Sequence, residues 1–192
     1  MKPPKYTLLT STTFAFLSLF SAAVTSAHAE DELAARLARG KTTFMTCAAC
    51  HGVDGKGLPT NPPMAPSLSG SKLANGPAEV TTAIVLKGIA KTDAKYLGIM
   101  APLGAGLTDE QIADVITYVR KSFGNQASEV AAADVKTWRE KYKDVTASLP
   151  RTAYEKKAEK LEADAKATPA PAPSNGATPA PAATPAPAEP AK

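Results

Sequence analysis

The chain is short of the side chains that most metal and disulfide chemistry requires: 192 residues hold two cysteines, two histidines and one tryptophan. Both cysteines, Cys47 and Cys50, fall within four positions of each other. A disulfide between them would close a loop too small to constrain much of the unfolded chain, so a structural bridge is a poor use of the pair. No block of lysines and arginines interleaved with aromatics occurs, which leaves nucleic-acid binding without support. A large charge excess is missing as well. The formal net charge of +4 includes Lys2 and Lys5, and residues 30–124 carry ten basic and nine acidic side chains. Alternation of apolar and polar residues never persists for more than a few positions, which excludes a sheet protein and predicts an all-α fold.

The longest apolar run lies at the start. Lys2 and Lys5 precede a stretch rich in Leu, Phe, Ala, Ser and Thr from Leu8 to Val24, and Ala27-His28-Ala29 has the small-x-small pattern of a cleavage site. Residues 1–29 therefore read as a secretory signal peptide, which predicts export to the periplasm of a bacterium. The alternative is an uncleaved anchor, since about 17 apolar residues is the lower limit for spanning a bilayer. The hydroxyl side chains between Thr10 and Ser26 weigh against it.

Residues 30–124 contain nearly all the remaining Phe, Leu and Ile, enough for one small core. A first helix is expected from about Asp31 to Thr46, with Leu33, Leu37, Phe44 and Met45 as its apolar positions and Met45 in the core. Gly40 costs that helix about 1 kcal/mol relative to alanine, a cost acceptable where another helix must come close. Val80 to Leu86 predicts a second short helix after the Asn75-Gly76-Pro77 turn signal. Thr108-Asp109-Glu110-Gln111 is a capping box, and Ile112, Val115, Ile116 and Val119 form one stripe of the helix it opens, closed by Gly124. Arg120 and Lys121 suit the negative end of that helix dipole. Residues 125–166 read as a helical extension: Val135, Trp138, Tyr142 and Val145 recur at helical spacing over 129–145, and 152–166 is a charged, weakly amphipathic helix. From Ala167 to Lys192 the chain is Ala, Pro and Thr, expected to be an extended, solvated tail.

The segment with chemistry in it is Cys47-Ala48-Ala49-Cys50-His51, a C-x-x-C-H motif. Residues three apart on a helical turn share a face, so both thiols can reach one edge of a haem and add across its vinyl groups as thioethers. His51 follows directly, placed to offer one ring nitrogen to iron while the other needs an acceptor to fix the ring. A redox dithiol would be expected beside a βαβ pattern, which is absent. A zinc site would need a fourth ligand, and the one other histidine, His28, lies in the signal segment. The motif predicts one covalently bound haem c.

At this point the chain resembles a class I cytochrome c. The resemblance spans residues 30–124, from the attachment motif and His51-Gly52-x-Asp54-Gly55-x-Gly57 to a closing amphipathic helix. It implies a fold of three to five short helices around one haem, the first and last crossing beside the motif, where Gly40 and Phe44 would meet Tyr118. It also implies a methionine as second axial ligand. Of Met45, Met64 and Met100, the first precedes the motif and the second follows His51 closely, which leaves Met100. Tyr96-x-Gly98-x-Met100-Ala101-Pro102 is similar to the Tyr-x-Gly-x-Met-Pro loop of the family, with Ala101 where proline is common. By the same resemblance Pro66 supplies the carbonyl that accepts the His51 N–H, with Pro63 as the fallback, and Tyr96 is a candidate partner for a haem propionate.

Iron closed on both axial sides suits one-electron transfer rather than substrate turnover. The expected role is a periplasmic electron carrier and not an enzyme, either a free shuttle or the cytochrome subunit of a respiratory or dehydrogenase complex. The likeness is greatest to haem domains that serve quinoprotein alcohol dehydrogenases and terminal oxidases. Its partners are expected to be redox proteins, with membrane contact only through them or through an uncleaved signal. The alternative is a monohaem enzyme with a displaceable axial ligand. A further option is a tether, with the Pro/Ala tail linking the domain to a larger assembly.

Overall fold

The computed structural model describes residues 17–92 and 95–167. Six helices occur among them: α1 (Leu17–His51), α2 (Lys72–Asn75), α3 (Ala78–Lys87), α4 (Asp109–Lys121), α5 (Ala132–Lys141) and α6 (Arg151–Ala167). Strands are absent among the described residues, with two isolated bridges, Ile89 to Met100 and Ile89 to Leu149, in their place. The expectation of an all-α fold holds. Most of the expected signal segment, and the expected tail beyond Ala167, lie outside the described residues. No described helix is long and apolar enough to cross a membrane.

Helix α1 runs further than the expected 31–46. Nothing between Ala22 and His51 breaks it, the helix running straight through Gly40, and it stops where Gly52 takes a left-handed φ of 74°. There the Gly52 N–H bonds back to the Ala48 carbonyl at 2.9 Å. Gly40 is needed for the close approach of α4: a methyl group there would press into the Asp114 carbonyl and stand 2.8 Å from the Tyr118 Cβ. One turn on, Phe44 packs against Tyr118 and Phe123, with ring centroids 5.4 and 5.2 Å away. The buried Asp114 carboxylate closes the crossing by accepting from Arg36 at 3.0 Å and Arg39 at 2.7 Å. Met45 is the exception to the expected pattern. It is 56% exposed, because Phe44 and Ala48 occupy the buried face and Met45 lies about 100° around the helix from Phe44.

The capping box forms as expected, with Thr108 Oγ1 accepting from the Gln111 N–H and the Gln111 side chain accepting from the Thr108 N–H. The helix ends earlier than Gly124. Ser122 is its cap, and Phe123 itself adopts a left-handed φ of 58°, held there by the aromatic cluster it joins. Arg120 is not a surface cation at the helix end. It is buried and donates to the carbonyls of Ala74, Gly76 and Ser128.

Helices α5 and α6 are shorter and longer, respectively, than the expected 129–145 and 152–166, and both pack on the core. Val130, Val135 and Tyr154 are fully buried. Arg139 donates to Asp109 and to the carbonyls of Gly104 and Leu107, so α5 pins the loop that leads into α4. On α3, Glu79 accepts from Tyr142, Lys141 and Lys157, which ties in α6 too. This extension is part of the folded body.

Candidate haem site

The end of α1 and the loop after it build one wall of an apolar cavity of about 280 Å³. Cys47, Cys50 and His51 all line it, together with Phe44 from the same helix. Ile84 and Val85 of α3, and Val115, Ile116 and Val119 of α4, supply apolar walls. The loop between α3 and α4 adds Tyr96, Gly98 and Met100. The motif's two cysteines and histidine are thus brought to the same space as the methionine expected to face them.

Local backbone geometry explains how His51 is held. After Gly52 turns the chain, the Gly57 N–H returns to the His51 carbonyl at 2.7 Å. Gly57, with φ of 88°, has no room for a side chain, since a Cβ would lie 2.6 Å from the Ala65 carbonyl. That close approach brings Pro66 back beneath the histidine, and His51 Nδ1 lies 3.1 Å from the Pro66 oxygen. A carbonyl can only accept, so Nδ1 carries the proton and Nε2 keeps its lone pair. Burial pushes the imidazole below its usual pKa, the Pro66 bond opposes this, and the charge of Arg151 adds to the lowering. A neutral ring with its tautomer set by a carbonyl is what a metal-ligating histidine needs.

The two thiols are free of each other. Burial raises the Cys47 thiol above its ordinary value, and the neighbouring Cys50 adds to the rise. A redox dithiol depends on a depressed thiol pKa, so Cys47 does not suit that chemistry. Among the described residues, no three or more His, Cys, Asp or Glu side chains converge on a metal position of the zinc type. Haem fits instead: two thiols on one helical face, a histidine with a committed Nδ1, and an apolar cavity in front of them. Cys47 and Cys50 have the C-x-x-C-H spacing through which haem c is held covalently.

Met100 is positioned by its own backbone. Its carbonyl accepts from the Ile89 N–H at 2.8 Å, and Gly98 N–H bonds to the Met64 carbonyl at 2.9 Å. Tyr96 lines the cavity, with Lys95 Nζ 5.6 Å from its ring centroid. Pro63, the alternative to Pro66, instead receives the Leu97 N–H at 2.9 Å.

Among the cavity residues that the sequence did not single out are Met64 and Arg151. Met64, set aside for its closeness to His51, lines the cavity beside Gly98. Arg151, at the start of α6, lines it as well, although it lies some 100 residues from the motif. No local pattern announces either one.

Comparison with known proteins agrees with this geometry. Residues 37–123 match the cytochrome c family profile. The chain is similar to cytochrome c-554(548) of Halomonas halodenitrificans, with 34% identity over 85 residues, which is 42% of this chain and 89% of that protein. The family match falls on α1 to α4 and leaves the extension unmatched.

Proposed function

The chain belongs to the cytochrome c family, an all-α haem-based electron carrier, and we propose that it is a periplasmic one-electron shuttle or complex subunit whose iron is held by His51 and Met100. Haem, when bound, supplies a one-electron Fe(III)/Fe(II) couple. The chain's own residues do the rest. Cys47 and Cys50 retain the group, His51 presents Nε2, and Pro66 keeps that ring from turning. Met100 presents a thioether from a loop tied to Ile89. Apolar side chains of α3 and α4 line the cavity, and an apolar wall limits solvent reorganisation when charge changes.

The observation that carries this reading is the joint presence of the tethered His51 and of Met100 on one cavity wall system. With His51 and Met100 both holding the iron, substrates would have no open coordination position. Export rests on the signal-like residues 1–29. Redox proteins are the proposed donor and acceptor, with quinoprotein dehydrogenases and terminal oxidases as the classes the resemblance suggests.

The test is spectroscopic. Reduced-minus-oxidised spectra of the exported protein should show c-type haem, and the oxidised form should show the weak far-red sulfur-to-iron band. Met100→Ala should abolish that band and let the reduced protein bind carbon monoxide rapidly, with haem content unchanged. Rapid carbon monoxide binding by the unmodified protein would instead favour an enzyme with a displaceable ligand.

A further inference from the structure

The wall of the haem cavity carries two fixed cations, Lys91 and Arg151, and among the described residues no carboxylate. Haem is anionic along the edge that bears its two propionates, so an acid-free wall with cations is complementary to it. Lys91 belongs to the part of the chain matched by the family, and its Nζ donates to the Leu97 carbonyl at 3.2 Å. Arg151 does not. Of the described residues lining the cavity, it alone lies outside 37–123.

Three bonds hold the start of α6 against the cavity. Ala90 N–H donates to the Leu149 carbonyl at 3.0 Å, Ser148 Oγ to the Lys87 carbonyl at 2.8 Å, and the buried Tyr154 hydroxyl to the Gly88 carbonyl at 3.0 Å. Arg151 falls between these anchors, so its Cα is fixed relative to residues 87–90. Its Nε donates to Glu155 one turn on, at 3.0 Å. Among the described residues, neither terminal nitrogen of the guanidinium has a protein partner. Those two donors are the ones a carboxylate takes from an arginine in a fork-to-fork pair.

We infer that Arg151 is a haem-positioning residue contributed by the C-terminal extension, receiving a propionate carboxylate through its terminal nitrogens while Glu155 holds the opposite side of the guanidinium. This rests on the haem site described above and not on which residue fills the second axial position. Reduction adds one negative charge to the iron. A cation at the haem edge therefore favours the reduced state and raises the potential, and a carboxylate beside that cation offsets part of the effect.

Arg151 and Glu155 consequently predict opposite shifts. Arg151→Gln, Arg151→Lys and Glu155→Gln holoproteins should be titrated to their midpoint potentials at low ionic strength. Arg151→Gln should fall below the parent, Arg151→Lys should fall less, and Glu155→Gln should rise. All three should keep full covalent haem, and their far-red band should match the parent's, which separates this test from that of Met100. An unchanged potential in Arg151→Gln overturns the inference. So do shifts of one sign in all variants, which would mark a packing role. Should Arg151→Gln fail to accumulate, the other two decide: no difference in potential between Arg151→Lys and Glu155→Gln overturns the assignment.

Discussion

Gly40 and Tyr118 face each other where α1 crosses α4, so closely that one added carbon at Gly40 would stand 2.8 Å from the Tyr118 Cβ and press on the Asp114 carbonyl. Both obstacles are backbone or Cβ atoms and cannot swing aside. The crossing sets the direction in which the end of α1 presents Cys47, Cys50 and His51 to the cavity.

Gly40→Ala is therefore expected to destabilise the protein, even though alanine is the better helix former by about 1 kcal/mol. Overpacking against fixed atoms costs about 1–3 kcal/mol, and the upper end applies here because the whole helix must shift. Denaturant unfolding of the holoprotein measures it. A variant as stable as the parent would show that the helices do not pack this closely.

Glu79 predicts an acid-sensitive link between the core and the extension. Burial alone would raise its pKa, but donation from Tyr142, Lys141 and Lys157 outweighs this and lowers it below the ordinary value. A carboxyl depressed in the folded state adds stability above its unfolded pKa of about 4.3, and loses it as pH falls through the lower folded value. Glu79→Gln should cost about 1–3 kcal/mol near neutral pH, the scale for hydrogen bonds to a charged group. The deficit should shrink as unfolding is repeated at pH values below the carboxylate range. A deficit that stays constant on acidification would count against the ion pairs as its source.

Tyr154 predicts how much of the extension's grip runs through one hydroxyl. It is buried and donates to the Gly88 carbonyl at 3.0 Å. Tyr154→Phe removes that bond and leaves the ring, so a loss of about 1 kcal/mol is expected. Tyr154→Ala also empties the ring's site and should cost about 3–5 kcal/mol. Thermal unfolding of both variants, monitored by far-ultraviolet dichroism, separates the two contributions. Equal losses would mean that the hydroxyl, not the packing, dominates.

What could be read from the sequence was what is encoded within a turn or two of helix. The capping box at Thr108, the stripe from Ile112 to Val119 and the Cys47–His51 motif each depend on near neighbours, and the structure keeps their geometry. Gly40 was legible as a place of close approach because glycine inside a helix needs a packing reason. Asn125 was not. Its side chain donates to the Leu68 and Val119 carbonyls and accepts from Gly70 N–H, partners up to 57 residues away. Arg120 misled for the same reason, since a charged residue near a helix end usually meets solvent, and nothing near Arg151 in the sequence pointed to the cavity. Met45 failed in the other direction: hydrophobicity suggested the core, and the neighbouring Phe44 and Ala48 had already claimed the buried face.

Gly88 gives the most selective test of the second axial position. Its φ is 74°, and a Cβ would collide with the Met100 carbonyl and lie 2.9 Å from the Pro102 nitrogen. The same residue receives the Tyr154 hydroxyl, and its neighbour Ile89 donates to Met100. Gly88→Ala must therefore push residues 100–102 away or strain its own backbone. His51 and Pro66 are held by the separate turn through Gly52 and Gly57, so they should be untouched. Covalent haem content should match the parent, the far-red sulfur band should weaken, and carbon monoxide should bind the reduced form faster. If the band and the carbon monoxide rate both stay at parental values, Met100 does not depend on this contact and its assignment as ligand loses its structural basis.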